Sequence, residues 1–350
     1  MLKVNETPRR TSRNFNINNI KLENVSVPEN AGEFENFYFS CDTDKIKIDS
    51  NVSDDIKLTY GMGKDITDLE ANKKVRLTID SKTKKDVFLN FTIDEENKDL
   101  ITNIEIVAAE STKSNVYIKY NNEEGVSGFH SSVIKVFANN NSNVNVYIVN
   151  LFDLNVENFI TIDGEIYDNA KVNYLLVDFG GKHSLTNLYS NLLGANSDND
   201  IKAIYLGKEE QLIDLNYIAE LRGEKSNIKI DVQGALKDKA KKHFKGTIDF
   251  KTGCKKAVGD ENEFCMLLSD TARSLALPML LCSEEDVEGN HSSAAGKIDE
   301  KELFYIMSRG FDRKDAMKLV IRAKFNEIIE NINDEKIKQE IIDEMYKRLD

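Results

Sequence analysis

The stretch from Glu29 to Leu277 contains no proline, and this absence limits the possible folds more than any other feature of the chain. The only three prolines are Pro8, Pro28 and Pro278. Proline removes a hydrogen-bond donor from a strand ladder, so the inner strands of a sheet exclude it. The sequence therefore allows long, uninterrupted strand pairing and favours a fold built mainly from β-sheet.

Short strand-like runs recur inside this stretch at a nearly constant spacing. Each run alternates apolar and polar residues and is rich in β-branched and aromatic side chains, as strands are. Their first apolar residues lie 28, 28, 29 and 27 residues apart: Val116, Val144, Val172, Ile201 and Ile228. Candidate second strands lie between them, at 133–138, 159–162, 185–193, 212–218 and 247–250.

A compact domain cannot contain a single strand as long as this repeat, because a strand rises about 3.3 Å per residue. Each repeat must therefore hold two or three strands joined by turns. Segments such as 139–142, 180–181 and 194–198 are rich in Asn, Gly and Ser, and they suit the corners between strands. The repeat predicts a β-helix or related solenoid. A β-sandwich with evenly spaced strands is the alternative.

Composition restricts the partners and the compartment. The 350 residues include 47 Lys and Arg against 60 Asp and Glu, and the net charge of −13 opposes binding to nucleic acid or to anionic membranes. No apolar run approaches the roughly 18 residues of a membrane span. Residues 1–16 lack the hydrophobic region of a secretion signal. We therefore expect a cytoplasmic protein whose partners are proteins or small ions.

Motifs for catalysis are missing from the sequence. There is no phosphate-binding G-x-x-x-x-G-K-[ST] loop, H-E-x-x-H, G-x-S-x-G or dinucleotide fingerprint. Four cysteines, at positions 41, 254, 265 and 282, are far apart and form no C-x-x-C pair, which argues against an ordinary zinc site. The chain is expected not to be an enzyme and not to hydrolyse ATP itself.

The hydrophobic period becomes helical from Asp299 onward. Asp299 and Glu302 form a capping signal for a helix that is expected to end at Gly310. The segment 313–333 carries two apolar stripes on nearly opposite sides. One contains Ala316, Leu319, Val320 and Ala323, and the other contains Met317, Ile321, Phe325, Ile328 and Ile332. Either one stripe faces a partner, or the helix is buried all round in a bundle with residues 336–349.

Residues 282–310, taken as a block, resemble the C-terminal signature of the SufB/SufD family of iron–sulfur cluster assembly scaffolds. The block contains Glu285-Asp286-Val287, His291 and the helix start at Asp299. The resemblance extends from about residue 100 to 335. It implies an N-terminal region at 1–75, a right-handed parallel β-helix at 76–298, and a helical domain at 299–350 that docks the ABC-type ATPase SufC. Met317, Ile321, Phe325 and Ile328 would form that docking surface.

The same resemblance implies the site residues. His291 matches a histidine of the family, and Ser292 stands where SufB has a glutamate, so the motif resembles SufD more closely. Glu263 falls at the position of a SufB cysteine, with Cys265 two residues later on the same strand face. Iron and sulfide favour thiolate ligands with imidazole or carboxylate as auxiliaries. Cys265, His291 and Glu263 are therefore the expected ligands of a transient iron–sulfur cluster, although Cys265 could also be a small buried hydrophobe.

Three functions are compatible with these observations. The first is a scaffold that builds and transfers iron–sulfur clusters with SufC and sulfur donor proteins, with the cluster shared across a homodimer or a heterodimer with a SufB/SufD paralogue. The second is a subunit that completes such a dimer without ligating anything. The third is a β-helix acting on polysaccharide, which the lack of a secretion signal and of tryptophan disfavours.

Overall fold

The computed structural model describes residues 1–9, 17–52, 58 and 61–350, so part of the expected N-terminal region lies outside the described residues. Strands β1 (Leu2–Val4) and β2 (Ile20–Leu22) form a small antiparallel sheet. The remaining strands form two nine-stranded sheets that wind as a parallel β-solenoid of about 8 turns. The chain is thus mainly β, as its proline-free stretch predicts.

The two large sheets take alternate strands of the chain. The sheet that we call the helix-side sheet contains β3 (Phe37–Cys41), β6 (Lys85–Ile93), β8 (Lys113–Asn122), β10 (Asn143–Asn150), β12 (Lys171–Asp178), β14 (Asp198–Gly207), β16 (Asn227–Leu236), β18 (Ala257–Leu267) and β20 (Val287–Lys297). The opposite sheet contains β4 (Ile46–Asp49), β5 (Lys73–Ile79), β7 (Asp99–Ala108), β9 (Gly128–Ala138), β11 (Val156–Ile166), β13 (His183–Leu192), β15 (Leu212–Leu221), β17 (Lys241–Phe250) and β19 (Arg273–Cys282).

Strand pairing from β5 to β20 is parallel throughout, which confirms the solenoid and excludes the β-sandwich. The predicted second strands all coincide with strands of the opposite sheet, from β9 to β17. The five apolar residues that mark the repeat all lie on the helix-side sheet but not in one column. Val144, Val172 and Ile228 share one inward column, while Val116 and Ile201 lie in the next. The coils differ slightly in length, and this shifts the register by two residues.

Asparagine occurs at the coil corners because the backbone there adopts a left-handed conformation. Asn141, Asn169 and Asn196 have φ of 60°, 53° and 54°, in the left-handed region. Asparagine tolerates this region better than most residues because its short side chain hydrogen-bonds locally. The corner segments predicted at 139–142 and 194–198 therefore turn the chain in the same way on successive coils.

The two ends of the solenoid differ. At the N-terminal end, the short strands β3 and β4 pair antiparallel with β6 and β5 and form the edges of the two sheets. At the other end, β19 and β20 are the terminal strands, and no strand among the described residues pairs with their outer edges. Unpaired edges of this kind are normally covered by another chain or protected. We call this the open end.

Helices cover the outer face of the helix-side sheet. They are α2 (Glu300–Met307), α3 (Arg313–Ile329) and α4 (Glu335–Leu349), whereas the short α1 (Lys64–Thr67) contacts β9 of the opposite sheet. Asp299 caps α2 as predicted, since its carboxylate accepts a hydrogen bond of 2.8 Å from the Lys301 amide. The helix ends at Met307, before Gly310, which closes the following turn with φ 99°. Within the described ranges, no helix has the length and apolar character needed to span a bilayer.

The structure corrects the expectation that Met317, Ile321, Phe325 and Ile328 form an exposed docking surface on α3. Ile321, Phe325 and Ile328 are at most 1% exposed, and Met317 is half-buried. They pack on the outer face of the helix-side sheet, where the Phe325 ring lies 6.2 Å from the ring of Phe179. This outer face is itself apolar, so burying the stripe against it removes both surfaces from water.

Candidate functional site

A polar cluster interrupts the apolar interior next to the open end. On β16, Ile230 and Val232 point inward. Their register neighbours on β18, the next strand of the sheet, are Glu261 and Glu263. Cys265 continues the same inward row on β18 and is fully buried. The sequence correctly predicts that Glu263 and Cys265 share a strand face. We call the group formed by Tyr205, Lys242, Glu261, Glu263 and Cys265 the interior cluster.

Glu263 is fully engaged by hydrogen-bond donors. Its Oε1 accepts from the Lys242 ammonium at 2.6 Å and from the Tyr205 hydroxyl at 3.0 Å. Its Oε2 accepts from the Ser293 hydroxyl at 2.8 Å. Lys242 is 0% exposed and Glu263 is 3% exposed, so they form a buried ion pair. A buried carboxylate can remain charged only with such compensation.

Tyr205 reaches this carboxylate because a glycine lies beside it in the sheet. Gly234 is the register neighbour of Tyr205 on β16, and a Cβ there would lie 1.9 Å from the Tyr205 ring. Any larger residue would push the ring away from Glu263. Neither Lys242 nor Tyr205 was identified from the sequence, since their partners are 21 and 58 residues away along the chain.

Glu261 is a second interior carboxylate. Its side chain is 0% exposed, and neither oxygen has a hydrogen-bond partner among the residues that the structure describes. Burial, and then the charge of Glu263, raise the pKa of Glu261 to about 8. Gly246 of β17 leaves room for this carboxylate, because a Cβ at that position would lie 2.1 Å from its Oε2. The sequence signal for this interior row was the spacing of Glu261, Glu263 and Cys265, because residues two apart on a strand point to the same face.

Cys265 has the properties of a buried thiol in this structure. Burial raises the pKa of the Cys265 thiol above its ordinary value, although the nearby Lys242 ammonium acts in the opposite direction. Metal ligation requires the thiolate. The thiol would therefore have to lose its proton when a metal arrives. The other three cysteines are also free, with Cys254 buried and Cys282 exposed.

His291 lies on the last strand of the helix-side sheet. It is the register neighbour of Glu261, while Ser293 is the neighbour of Glu263. The side chain is exposed because no further coil covers β20. The three ligands predicted from the sequence thus occupy two adjacent strands at the open end. Among the described residues, however, no three His, Cys, Asp or Glu side chains are arranged to hold a metal ion.

A second candidate surface lies on the helical tail. Its members are large apolar side chains that remain exposed: Phe304, Tyr305, Met307, Phe311 and Leu319. Phe304 is 74% exposed, although an isolated apolar residue of this size is costly to leave in water. Four of these residues, Phe304, Tyr305, Met307 and Phe311, lie within the short segment 304–311, and exposed apolar residues that form one surface mark an interaction site. We call this group the α2 patch.

The chain is thus a parallel β-helix with a helical tail and a carboxylate–lysine–thiol cluster next to its open end. Comparison with protein-family models matches residues 91–324 to the SUF system FeS cluster assembly, SufBD core domain. The chain therefore belongs to the SufB/SufD family, as the motif at 282–310 predicts.

Individual relatives agree with this family. The chain is 25% identical over 263 residues to the iron-sulfur cluster assembly protein SufD of Bacillus subtilis (strain 168), covering 73% of the chain and 60% of the relative. It is 26% identical over 170 residues to SufD of Escherichia coli (strain K12), covering 49% and 40%. A SufBD family protein of Pyrococcus horikoshii is 30% identical over 140 residues, covering 40% and 31%. The chain thus spans 60% or less of the length of these relatives.

Proposed function

We propose that this chain is a cytoplasmic, non-enzymatic scaffold subunit of the SUF system, which assembles and transfers iron–sulfur clusters together with a SufC-type ATPase. The observation that carries the proposal is the inward row of Glu261, Glu263 and Cys265 beside His291 at the open end. Membership of the SufB/SufD family supports it. The iron–sulfur cluster is the cargo of this scaffold, built from iron and from sulfide that sulfur donor proteins supply.

The open end suits a cluster shared by two chains. Unpaired edges of β19 and β20 can pair with a second copy or with a SufB/SufD paralogue. His291 would then lie at the interface, beside the buried Glu261 and on the strand next to the one that carries Glu263 and Cys265. Each chain would supply only part of the ligand set, which is consistent with the lack of a complete metal site among the described residues of one chain. The Lys242–Glu263 ion pair would have to open before Glu263 could bind iron.

Docking of the ATPase is better assigned to the α2 patch than to the α3 stripe. Met317, Ile321, Phe325 and Ile328 are half-buried or buried against the chain's own sheet. Phe304 and Phe311, by contrast, are 74% and 46% exposed. Exposed aromatic residues are frequent energetic centres of protein interfaces. The α2 patch is therefore the proposed contact for SufC.

A subunit that completes the complex without ligating the cluster is the second candidate. The full set of three donors on Glu263 favours this alternative. The raised pKa of the Cys265 thiol favours it as well. Both observations describe a Glu263 carboxylate and a Cys265 thiol that are stable in the interior without metal.

Anaerobic reconstitution separates the two candidates. The purified chain would be incubated with ferrous iron and sulfide, alone and with its partners, and examined by absorption and Mössbauer spectroscopy. We expect Cys265→Ser and His291→Ala each to lower the iron and sulfide retained per dimer. Glu263→Gln should have a weaker effect, because oxygen is the poorer match for sulfide-bridged iron. Cys282→Ser, at an exposed thiol of the same end, is the matched control. Unchanged retention in the Cys265→Ser, His291→Ala double variant would favour the non-ligating subunit.

Binding to the SufC-type ATPase tests the α2 patch. A Phe304→Asp, Phe311→Asp double variant should lose binding in a pull-down or calorimetric titration, because charge in an apolar contact is costly to desolvate. Its far-UV circular dichroism should not change, since both side chains are exposed. Leu319→Asp, on α3 and 38% exposed, should weaken binding less. Full binding by the double variant would place the docking surface elsewhere.

A further inference from the structure

Three aromatic rings stack on the outer face of the helix-side sheet, far from the open end. Phe88, Tyr117 and Tyr147 belong to β6, β8 and β10, and their ring centroids are 4.8 and 4.4 Å apart with planes inclined by 8° and 10°. Strands in register place equivalent side chains one above the other, about 4.8 Å apart. The stack is thus a consequence of the solenoid repeat.

The stack ends abruptly at the N-terminal edge of the sheet. Ser40 of β3 is the register neighbour of Phe88, so the next position of the column holds a hydroxymethyl group and no ring. Phe88 is only half-buried, whereas Tyr117 and Tyr147 are 1% and 4% exposed. One face of the terminal ring therefore has no aromatic neighbour.

A pocket of about 240 Å³ occupies this position. Tyr38, Ser40, Phe88 and Asn90 form its floor, and Lys336 and Ile337 from the first turn of α4 form a wall. Tyr38 is 60% exposed. The ion pair between Lys119 and Glu340, at 2.7 Å, closes one side. The volume is below the roughly 300–1,000 Å³ that drug-sized ligands occupy. One planar ring system fits, with the rest of a ligand at the rim.

The rim of the pocket carries an available positive charge. Lys336 is exposed, and no carboxylate within the described parts of the chain lies at ion-pair distance from its ammonium. Asn90 contributes an amide whose carbonyl oxygen has no hydrogen-bond partner among the described residues. The pocket therefore combines a stacking surface, an amide acceptor and the Lys336 cation. Its lining also contains two carboxylates: Glu340 is paired with Lys119, and Asp334 accepts a hydrogen bond from the Ile337 amide as the cap of α4. Stacking of a nucleic-acid base on an aromatic side chain contributes about 1–3 kcal/mol, and lysine binds phosphate as a point charge.

We propose that this pocket binds a purine mononucleotide, with the base stacked on Phe88 in the position left by Ser40 and the phosphate held by Lys336. The base extends the aromatic column by one ring, and the sugar lies at the rim. Only residues of β3, the first coils and α4 take part, so the proposal is independent of cluster assembly at the open end.

Isothermal titration of the full chain alone tests the proposal, with AMP, adenosine and ribose 5-phosphate as probes. We expect AMP to bind, adenosine to bind more weakly and ribose 5-phosphate not to bind. Ser40→Phe should fill the position in the column and lower the affinity for AMP by about tenfold or more, the loss that corresponds to 1.4 kcal/mol of stacking. Ser40→Ala should leave it within about twofold.

Lys336→Met should reduce AMP binding to the level of adenosine without changing adenosine binding. Lys347→Met, at an exposed lysine of the same helix, is the matched control and should have no effect. Circular dichroism of each variant establishes that it is folded. No heat of binding with AMP at millimolar concentration would overturn the proposal. Undiminished AMP binding by folded Ser40→Phe, or by Lys336→Met, would overturn it equally.

Discussion

Replacing Lys242 by methionine tests the interior cluster most directly. The substitution keeps the volume of the side chain but leaves the Glu263 carboxylate buried without its cation. Breaking a buried ion pair in this way costs about 3–5 kcal/mol. Glu263 would retain the Tyr205 and Ser293 hydroxyls as donors, at 3.0 and 2.8 Å, so we expect a loss near the lower limit, about 3 kcal/mol.

The loss should be local, because solenoid stability is the sum of the stabilities of the coils and of their interfaces. Amide hydrogen exchange followed by mass spectrometry is therefore a suitable assay. A loss of about 3 kcal/mol corresponds to exchange that is roughly 150-fold faster. Peptides from β18 and β20 should show this change, whereas peptides from β8 and β10 should not.

A double-mutant cycle isolates the interaction. Glu263→Leu alone should lower the free energy of unfolding as much as Lys242→Met does, because it leaves the Lys242 ammonium buried without a counter-charge. The free energy of unfolding of the double variant should be within about 1 kcal/mol of the parent value. Lys239 and Glu210 form an exposed pair at 3.0 Å and serve as the control, with no measurable coupling expected. A coupling below about 1 kcal/mol between Lys242 and Glu263 would refute the description of a desolvated pair.

Three further predictions concern the same end of the solenoid. Because burial raises the pKa of Glu261 to about 8 from 4.5, the folded chain holds a proton that the unfolded chain loses at lower pH. The contribution of Glu261 to the free energy of unfolding should therefore be greatest below about pH 4.5 and should be lost as the pH rises through 8. In urea unfolding between about pH 5 and 9, Glu261→Gln should remove this decline. Gly246→Ala should cost about 1–3 kcal/mol in the same unfolding assay, since its Cβ meets the Glu261 carboxylate, and a neutral effect would mean that this carboxylate moves freely. Leu275→Glu with Leu280→Glu, both 39% exposed on β19, should shift a dimer to monomer in sedimentation velocity, and an unchanged dimer would exclude the open end as the interface.

Local sequence signals determined the architecture. The spacing of the strand-like runs predicted the coils, and asparagine marked the corners because it accepts the left-handed conformation at Asn141, Asn169 and Asn196. Asp299 predicted the start of α2. These features depend on backbone preferences and short-range periodicity, which the sequence encodes within a few residues.

Tertiary structure decided which apolar face is covered and which charges meet. Both stripes of α3 are comparably apolar in the sequence, and only the position of the helix-side sheet determines that Phe325 faces inward. The pairing of Lys242 with Glu263 joins residues on opposite sheets, and Glu261 differs from a solvated glutamate only because a later coil covers it. Contacts of this kind depend on distant segments brought together by winding, and burial sets both their strength and the pKa of Glu261.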